Sequence, residues 1–132
     1  MATPLDLSVV VPVHNERDNV APLLAEIEAA LGALTLSWEV IFVNDASRDD
    51  TLAVLRSLLR GHPRLRVLNQ RSQSGQSTAV RTGVKAARGD WIATLDGDGQ
   101  NDPADIPKLL AARDAGDSAI KLYAGWRVQR KD

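Results

Sequence analysis

Hydrophobic and polar positions along this chain fall into blocks whose period changes from one block to the next. Residues 7 to 13, read as Leu7-Ser8-Val9-Val10-Val11-Pro12-Val13, are an almost unbroken apolar, β-branched run. That is the pattern of a central parallel strand covered on both faces. The run stops at His14-Asn15-Glu16. Behind Asp18 or Asn19, either of which can cap a helix, Val20, Leu23, Leu24, Ile27, Leu31 and Leu34 recur at helical spacing. The spacing predicts one long amphipathic helix.

The succession then repeats. Trp38 to Val43 reads as a second strand ending at Asn44-Asp45, and a helix from about Asp50 carries Leu52, Leu55, Leu58 and Leu59 on one side until Gly61-His62-Pro63 stops it. Leu65 to Leu68 reads as a third strand. A polar loop containing Gly75 leads into a helix from Gln76 to Ala87, whose small residues Ala79 and Gly83 permit close packing, with Arg88-Gly89 expected to close it as a glycine stop. Trp91 to Leu95 is a fourth strand, Pro103 opens a fourth helix behind the cap Asp102, and Ala119 to Ala124 is a weaker fifth strand. Unbroken alternation of this kind implies an α/β fold with a mostly parallel sheet, because parallel neighbours need a crossover and cannot be joined by a short hairpin. At 132 residues the chain is expected to form a single domain, 1–132.

In such sheets ligands bind outside the carboxyl ends of the strands, where the winding changes direction. The polar residues fall there: Asn15 and Glu16 after the first strand, Asn44 and Asp45 after the second, Asn69 and Gln70 after the third, Asp96 and Asp98 after the fourth. Arg127 is expected after the fifth. This convergence carries more weight than any one residue, since polar loop residues occur in every fold.

Composition narrows the choice. A hydrophobic content of 44% with 25% charged residues is that of a folded globular chain, and a net charge of -1 gives no basic excess of the sort that marks nucleic-acid partners. Charge is unevenly spread, however. Between Asp50 and Asp90 there is no acidic residue, while Arg56, Arg60, Arg64, Arg66, Arg71, Arg81, Lys85 and Arg88 all lie there. These are either solvated helix faces or a surface that meets anionic lipid or phosphate. The absence of cysteine excludes disulfides and thiolate metal sites. The first residues lack the basic and apolar blocks of a signal peptide, and no apolar run reaches the roughly 20 residues of a membrane-spanning helix. The expected location is the cytoplasm, with peripheral contact at the cytoplasmic face of a membrane.

Asp96-Gly97-Asp98-Gly99-Gln100 is the segment richest in chemistry. Two carboxylates two residues apart, with glycines that let the backbone turn, can hold a hard cation such as Mg²⁺ or Mn²⁺, and Gln100 can add a neutral oxygen. The alternative is a plain Gly-Asp surface turn. A calcium EF-hand requires Gly at the sixth loop position and Glu at the twelfth, where this chain has Asn101 and Pro107, so that reading fails. An aspartyl-nucleophile phosphatase, with Asp96 as nucleophile and Asp98 as acid, stays open, although such enzymes carry the nucleophile after the first strand. Asp45, at the end of the second strand, can accept hydrogen bonds from a ribose hydroxyl or a base N–H; helix capping and a phospho-acceptor role are its alternatives. No Gly-x-Gly-x-x-Gly or Gly-x-x-x-x-Gly-Lys segment is present, and Ser72-Gln73-Ser74-Gly75-Gln76 is a weak phosphate-cradle candidate. His14 and His62 are too few and too separated for a metal cluster.

Five segments in order resemble family 2 glycosyltransferases of the GT-A fold, a three-layer sandwich, in particular the dolichyl- or polyprenyl-phosphate mannosyltransferase-like branch. They are Val10 to Glu16, Phe42 to Thr51, Gly83 to Asp90, Leu95 to Pro103, and Gly125-Trp126-Arg127. The resemblance implies an inverting transfer of sugar from a nucleotide-diphospho-sugar to an acceptor, with a polyprenyl or dolichyl phosphate in that branch. It implies that Pro12, Asn15 and Glu16 line the nucleotide pocket, Asp45 holds the nucleoside, and Asp96 contacts the ribose or sugar. Asp98 and Gln100 would bind Mg²⁺ or Mn²⁺, and Asp98 and Arg127 would act in catalysis, Arg127 approaching the diphosphate or acceptor phosphate. The chain departs from the family pattern at His14, where an aromatic residue is usual, and at Asp45-Ala46-Ser47, where Asp-Gly-Ser is common. Family members continue past the Arg127 segment with acceptor-binding structure, so the chain is expected to be a donor half, truncated or split, that binds nucleotide but transfers sugar weakly alone. A non-catalytic nucleotide-sugar-binding module of the same fold is the alternative.

Overall fold

The first apolar run forms β1 (Leu5–Val13), the strand about which the sheet is organised. A computed structural model describes residues 5–95, 102–114, 121–123 and 126–130, and within these it leaves the side chains of residues 95, 109, 112–114, 121–123 and 126–130 aside. In chain order β1 is followed by α1 (Val20–Gly32), β2 (Trp38–Asp45), α2 (Thr51–Leu58), β3 (Leu65–Gln70), α3 (Gln76–Ala86), β4 (Gly89–Leu95), α4 (Ile106–Asp114), β5 (Lys121–Tyr123) and β6 (Trp126–Arg130). The six strands lie in the order β3-β2-β1-β4-β6-β5. The first four are mutually parallel, and β6 runs antiparallel to both β4 and β5.

Side-chain alternation decides what each face buries. Leu7, Val9, Val11 and Val13 of β1, with Trp38, Val40 and Phe42 of β2, pack against Val20, Leu24, Ile27 and Leu31 of α1, Leu55 of α2, and Ile106 and Leu110 of α4. The intervening residues Val10, Ile41 and Val43, with Ile92 of β4, meet Ala79 of α3 and Ala87. The sheet is thus covered on both faces, giving three layers. That double burial is why β1 and β2 read as continuous apolar runs rather than alternating ones.

α3 lies close to the sheet because Gly83 has no side chain. A Cβ there would stand 2.4 Å from Val10 Cγ1. The helix is also tied at both ends to polar side chains from one face of β2 and β3. At its amino end are Asp45 and Gln70. At its carboxyl end Arg66 donates from Nη1 to the Ala86 carbonyl at 2.8 Å and to Glu39 Oε1 at 2.9 Å. Glu39 is 3% exposed, and its other oxygen accepts from Ser8 Oγ at 2.6 Å and from the Arg88 N–H at 2.7 Å. Ser8 Oγ in turn accepts the Gly89 N–H at 2.8 Å. Burial pushes the Glu39 carboxyl up, but the bonds from Ser8, Arg88 and Arg66 and the guanidinium charge outweigh it and hold it below the usual range. A carboxylate at the start of α3 and a guanidinium at its end also suit the helix dipole.

Three expectations are corrected. Gly89 is not a helix stop: Ala87 leaves α3 in an extended conformation and Gly89 opens β4. Its smallness serves a close approach, since a Cβ there would lie 2.5 Å from Ser8 N. Leu59 does not join the apolar face of α2; it begins a 3-10 turn (Leu59–Gly61), whose tighter winding turns it outward to 40% exposure. The expected fifth strand is described over Lys121–Tyr123, and Arg127, expected in the segment at its carboxyl end, is the second residue of a further strand, β6, opposite Thr94 of β4. Because β6 is antiparallel, that position is still near the carboxyl end of β4.

Candidate active site

The chain goes from β1 outward through β2 to β3, then crosses to β4 on the other side of β1. The winding therefore reverses between β1 and β4, the place where an α/β sheet leaves a crevice at its carboxyl edge. Pairing of β1 with β2 runs as far as Val13 opposite Asn44, whereas the β1–β4 pairs run to Val10 opposite Thr94. Pro12 falls past the last of those β1–β4 pairs, where its missing N–H leaves no ladder bond unmade. Pro12 is half-buried at this edge.

The loops after β1 and β2 are stapled to one another. Asn15 adopts φ 56°, a left-handed conformation that Asn tolerates, and its Oδ1 accepts the Arg48 N–H at 2.8 Å. The Asn15 N–H donates to Ser47 Oγ at 2.9 Å, and the Glu16 N–H to Thr51 Oγ1 at 2.9 Å. The Glu16 carboxylate accepts from Asn19 Nδ2 at 2.6 Å, which engages Asn19 without capping α1. His14 Nδ1 lies 2.7 Å from the Asp45 carbonyl, so Nδ1 carries the proton and Nε2 faces Asn15 Nδ2 at 3.2 Å. Asn15 and Glu16 are thus engaged at the carboxyl edge of the sheet through their backbone N–H groups and through side-chain contacts within the loops. That His14 bridges two strand ends has no signal in the residues around it, because its partner is 31 positions away.

Asp45 is the most committed of these residues. Counting alternately from Glu39 places it on the α3 side of β2, and it is 4% exposed. Its Oδ1 accepts from Gln70 Nε2 at 3.0 Å and from the Ser74 N–H at 2.8 Å, and its Oδ2 from the Gly75 N–H at 3.0 Å. Gly75 holds φ 92°, a conformation that suits glycine. Within the segment considered as a weak phosphate cradle, the N–H groups of Ser74 and Gly75 therefore serve a protein carboxylate. On the far side of β2, Asn44 Nδ2 donates to Asn69 Oδ1 at 3.0 Å. Asp49 accepts from the Thr51 hydroxyl, the chief reason its carboxyl lies below the usual range.

Asp96, Asp98 and Gln100 lie outside the described residues, as do Gly97 and Gly99; in sequence they follow directly on Leu95, the last residue of β4. Arg127 is placed by its backbone alone. Among the described residues, no three His, Cys, Asp or Glu side chains gather as a metal site, and no helix is long and apolar enough to cross a membrane. Asp102 caps the next turn as expected, its carboxylate accepting the Ala104 N–H at 3.0 Å. His62 pairs with Glu28 at 2.7 Å, linking the turn after α2 to α1. Of the basic stretch, Arg66 is used internally and Arg64 stands 5.2 Å over the Trp38 ring, while Arg56, Arg60, Arg71, Arg81, Lys85 and Arg88 are exposed.

The family model described as "Glycosyl transferase family 2" matches residues 8–130. The chain belongs to that family. It is 41% identical over 129 residues to dodecaprenyl-phosphate galacturonate synthase of Rhizobium johnstonii, covering 97% of this chain and 38% of that protein. It is 38% identical over 112 residues to undecaprenyl-phosphate 4-deoxy-4-formamido-L-arabinose transferase of Pseudomonas savastanoi pv. phaseolicola, covering 83% of this chain and 33% of the relative. The family 2 chain thus spans about a third of the length of these curated relatives.

Among solved structures, the mannosyltransferase PcManGT from Pyrobaculum calidifontis, in complex with GDP-Man and Mn²⁺, superposes with a TM-score of 0.71 at 18% identity, over 97% of this chain and 45% of that one. S. aureus TarS 1-349 in complex with UDP gives 0.73 at 19% identity, over 96% of this chain and 47% of that one. At such identities the likeness establishes the fold, the GT-A arrangement of a family 2 domain.

Proposed function

We propose that this chain forms the nucleotide-sugar-binding part of an inverting glycosyltransferase whose acceptor is a polyprenyl phosphate. The observation that carries the reading is the family match over residues 8–130, laid on a sheet whose carboxyl edge gathers Pro12, Asn15, Glu16 and Asp45 at the switch between β1 and β4. The printed names of both curated relatives, a dodecaprenyl-phosphate synthase and an undecaprenyl-phosphate transferase, support the acceptor class. Contact with the cytoplasmic face of a membrane, where such acceptors are held, belongs to the same reading.

The donor set favours a cation site after β4. Asp45, Glu16 and Asp49, three of the described carboxylates of this edge, are engaged by protein donors. Asp98 and Gln100 in the segment that follows β4 are the oxygen donors suited to Mg²⁺ or Mn²⁺. When bound, the ion supplies charge neutralisation for the diphosphate leaving group. Pro12, Asn15 and Glu16 wall the nucleoside pocket, Asp45 accepts from the nucleoside, Asp96 contacts the ribose or sugar, and Arg127 on β6 meets the phosphate. Holding the donor there leaves the anomeric carbon open to attack from the face opposite the diphosphate, which inverts its configuration. A phosphate acceptor is already anionic and needs little general-base help.

Calorimetry with nucleoside diphosphates and Mn²⁺ tests the assignment. The wild type should bind, and Asp98→Ala should weaken metal-dependent binding at least about tenfold, a charged contact of roughly 1.5–3 kcal/mol. Equal affinity for the two proteins would remove Asp98 from the metal site.

A further inference from the structure

Asp45 is held by a two-step contact that reaches into the middle of α3. Thr82, in the second turn of that helix, places Oγ1 at 2.7 Å from Gln70 Oε1 and 3.0 Å from the Thr78 carbonyl. Gln70, the last residue of β3, turns its Nε2 to Asp45 Oδ1 at 3.0 Å. The orientation of this amide is dictated from both sides: an ionised carboxylate only accepts, so it faces Nε2, and the Thr82 hydroxyl then donates to Oε1. With the Ser74 N–H added, Oδ1 carries two donors, its ordinary capacity. Oδ2 carries one among the described residues, the Gly75 N–H at 3.0 Å. One acceptor position is left on a carboxylate that is otherwise buried and fixed.

We infer that Thr82 and Gln70 are positioning residues that set the plane of the Asp45 carboxylate so that Oδ2 accepts one N–H of the nucleotide's base. The inference rests on the nucleotide-binding role proposed for Asp45. It adds a consequence that a loose structural role would not have. A fixed acceptor attracts a base that presents N–H at that point and repels one that presents a lone pair. The relay therefore governs selectivity among bases and not only affinity.

The experiment is calorimetry on this chain with Mn²⁺ and, separately, uridine, cytidine, guanosine and adenosine diphosphates, using wild type, Thr82→Val, Thr82→Ser, Gln70→Leu and Asp45→Asn. Thr82→Val preserves shape and removes the hydroxyl. It should weaken the best-bound nucleotide about three- to tenfold, the worth of one hydrogen bond, and shrink the ratio between best- and worst-bound bases by a similar factor. Thr82→Ser should restore both quantities, and Gln70→Leu should lower both at least as far as Thr82→Val. An unchanged ratio in Thr82→Val, a uniform loss across all four nucleotides, or failure of Thr82→Ser to restore what Thr82→Val removed would overturn the relay. A distinct result, in which the wild type binds no nucleotide or Asp45→Asn binds as the wild type does, would instead sink the role of Asp45 itself.

Discussion

Ala46 holds φ at 51°, in the left-handed region where a Cβ crowds the following carbonyl. The turn that carries it links Asp45 to Ser47, whose hydroxyl receives the Asn15 N–H, so the conformation is imposed by the stapled loops. Glycine, common in the family at this position, has no such crowding. Ala46→Gly should stabilise the chain by about 0.5–1 kcal/mol, read as a rise of a few degrees in the thermal midpoint. A fall in that midpoint would mean that the turn is not strained. Position 46 also shows what was legible at this scale. That Asp45 would stand at the sheet's carboxyl edge followed from the apolar run before it. Its partners Gln70, Ser74 and Gly75 are 25 to 30 residues away in sequence and come within reach only when α3 folds back over β2. The chain's departures from the family pattern, His14 and Ala46, were visible in sequence, but their compensations in the Asp45 carbonyl and the Asn15 staple were not.

At the scale of elements, the sequence pattern placed the four α-helices among the described residues and the four parallel strands, by regular apolar stripes, two-faced runs and, for α4, the Asp102-Pro103 start. Glycines were harder to read, since one letter serves several purposes. Gly83 and Gly89 both admit a neighbour at close range, and only Gly83 was recognised as doing so; Gly89 beside a helix end carried the same signature as a glycine stop. The close approach at Gly83 makes a sharp prediction. A methyl group 2.4 Å from Val10 Cγ1 cannot be absorbed without moving α3 from the sheet, so Gly83→Ala should destabilise by about 1–3 kcal/mol despite the better helix propensity of alanine. Val10→Ala in the same chain removes the obstructing methyls. The double variant should therefore lose less than the sum of the two single losses by about 0.5 kcal/mol or more in denaturant titrations. Strict additivity would show that the clash is relieved elsewhere. β5 lies within the weak fifth strand expected at Ala119 to Ala124, whereas β6 was not expected at all, since Trp126-Arg127-Val128-Gln129-Arg130 carries no apolar run to announce a strand.

For the whole molecule, the amino end of the sheet hangs on one buried charge. Glu39 joins β1 through Ser8, β3 through Arg66, and the passage from α3 into β4 through the Arg88 N–H, with Gly89 held by the same Ser8 hydroxyl. Its folded pKa lies below its unfolded one. The folded state therefore binds fewer protons than the unfolded state through that interval, and the stability Glu39 contributes is complete above the unfolded value of about 4.3 and lost as pH falls through the lower folded value. Protonation places a proton among donors that all point at the carboxylate, leaving at least one of them without an acceptor. Glu39→Gln imposes that mismatch at every pH. It should cost about 2–4 kcal/mol at neutral pH, the range for breaking a buried pair while its partners stay in place. Its deficit relative to wild type should narrow as both proteins are acidified below about pH 4. Urea titrations of the two proteins from pH 7 to pH 3 would read this directly, and a deficit that stays constant with pH would show that the carboxylate's charge is not what the network holds. The two ends of α3 are thereby separable in experiment: substitution at Glu39 should act on acid stability, whereas substitution at Gln70 or Thr82 should act on which nucleotide is preferred.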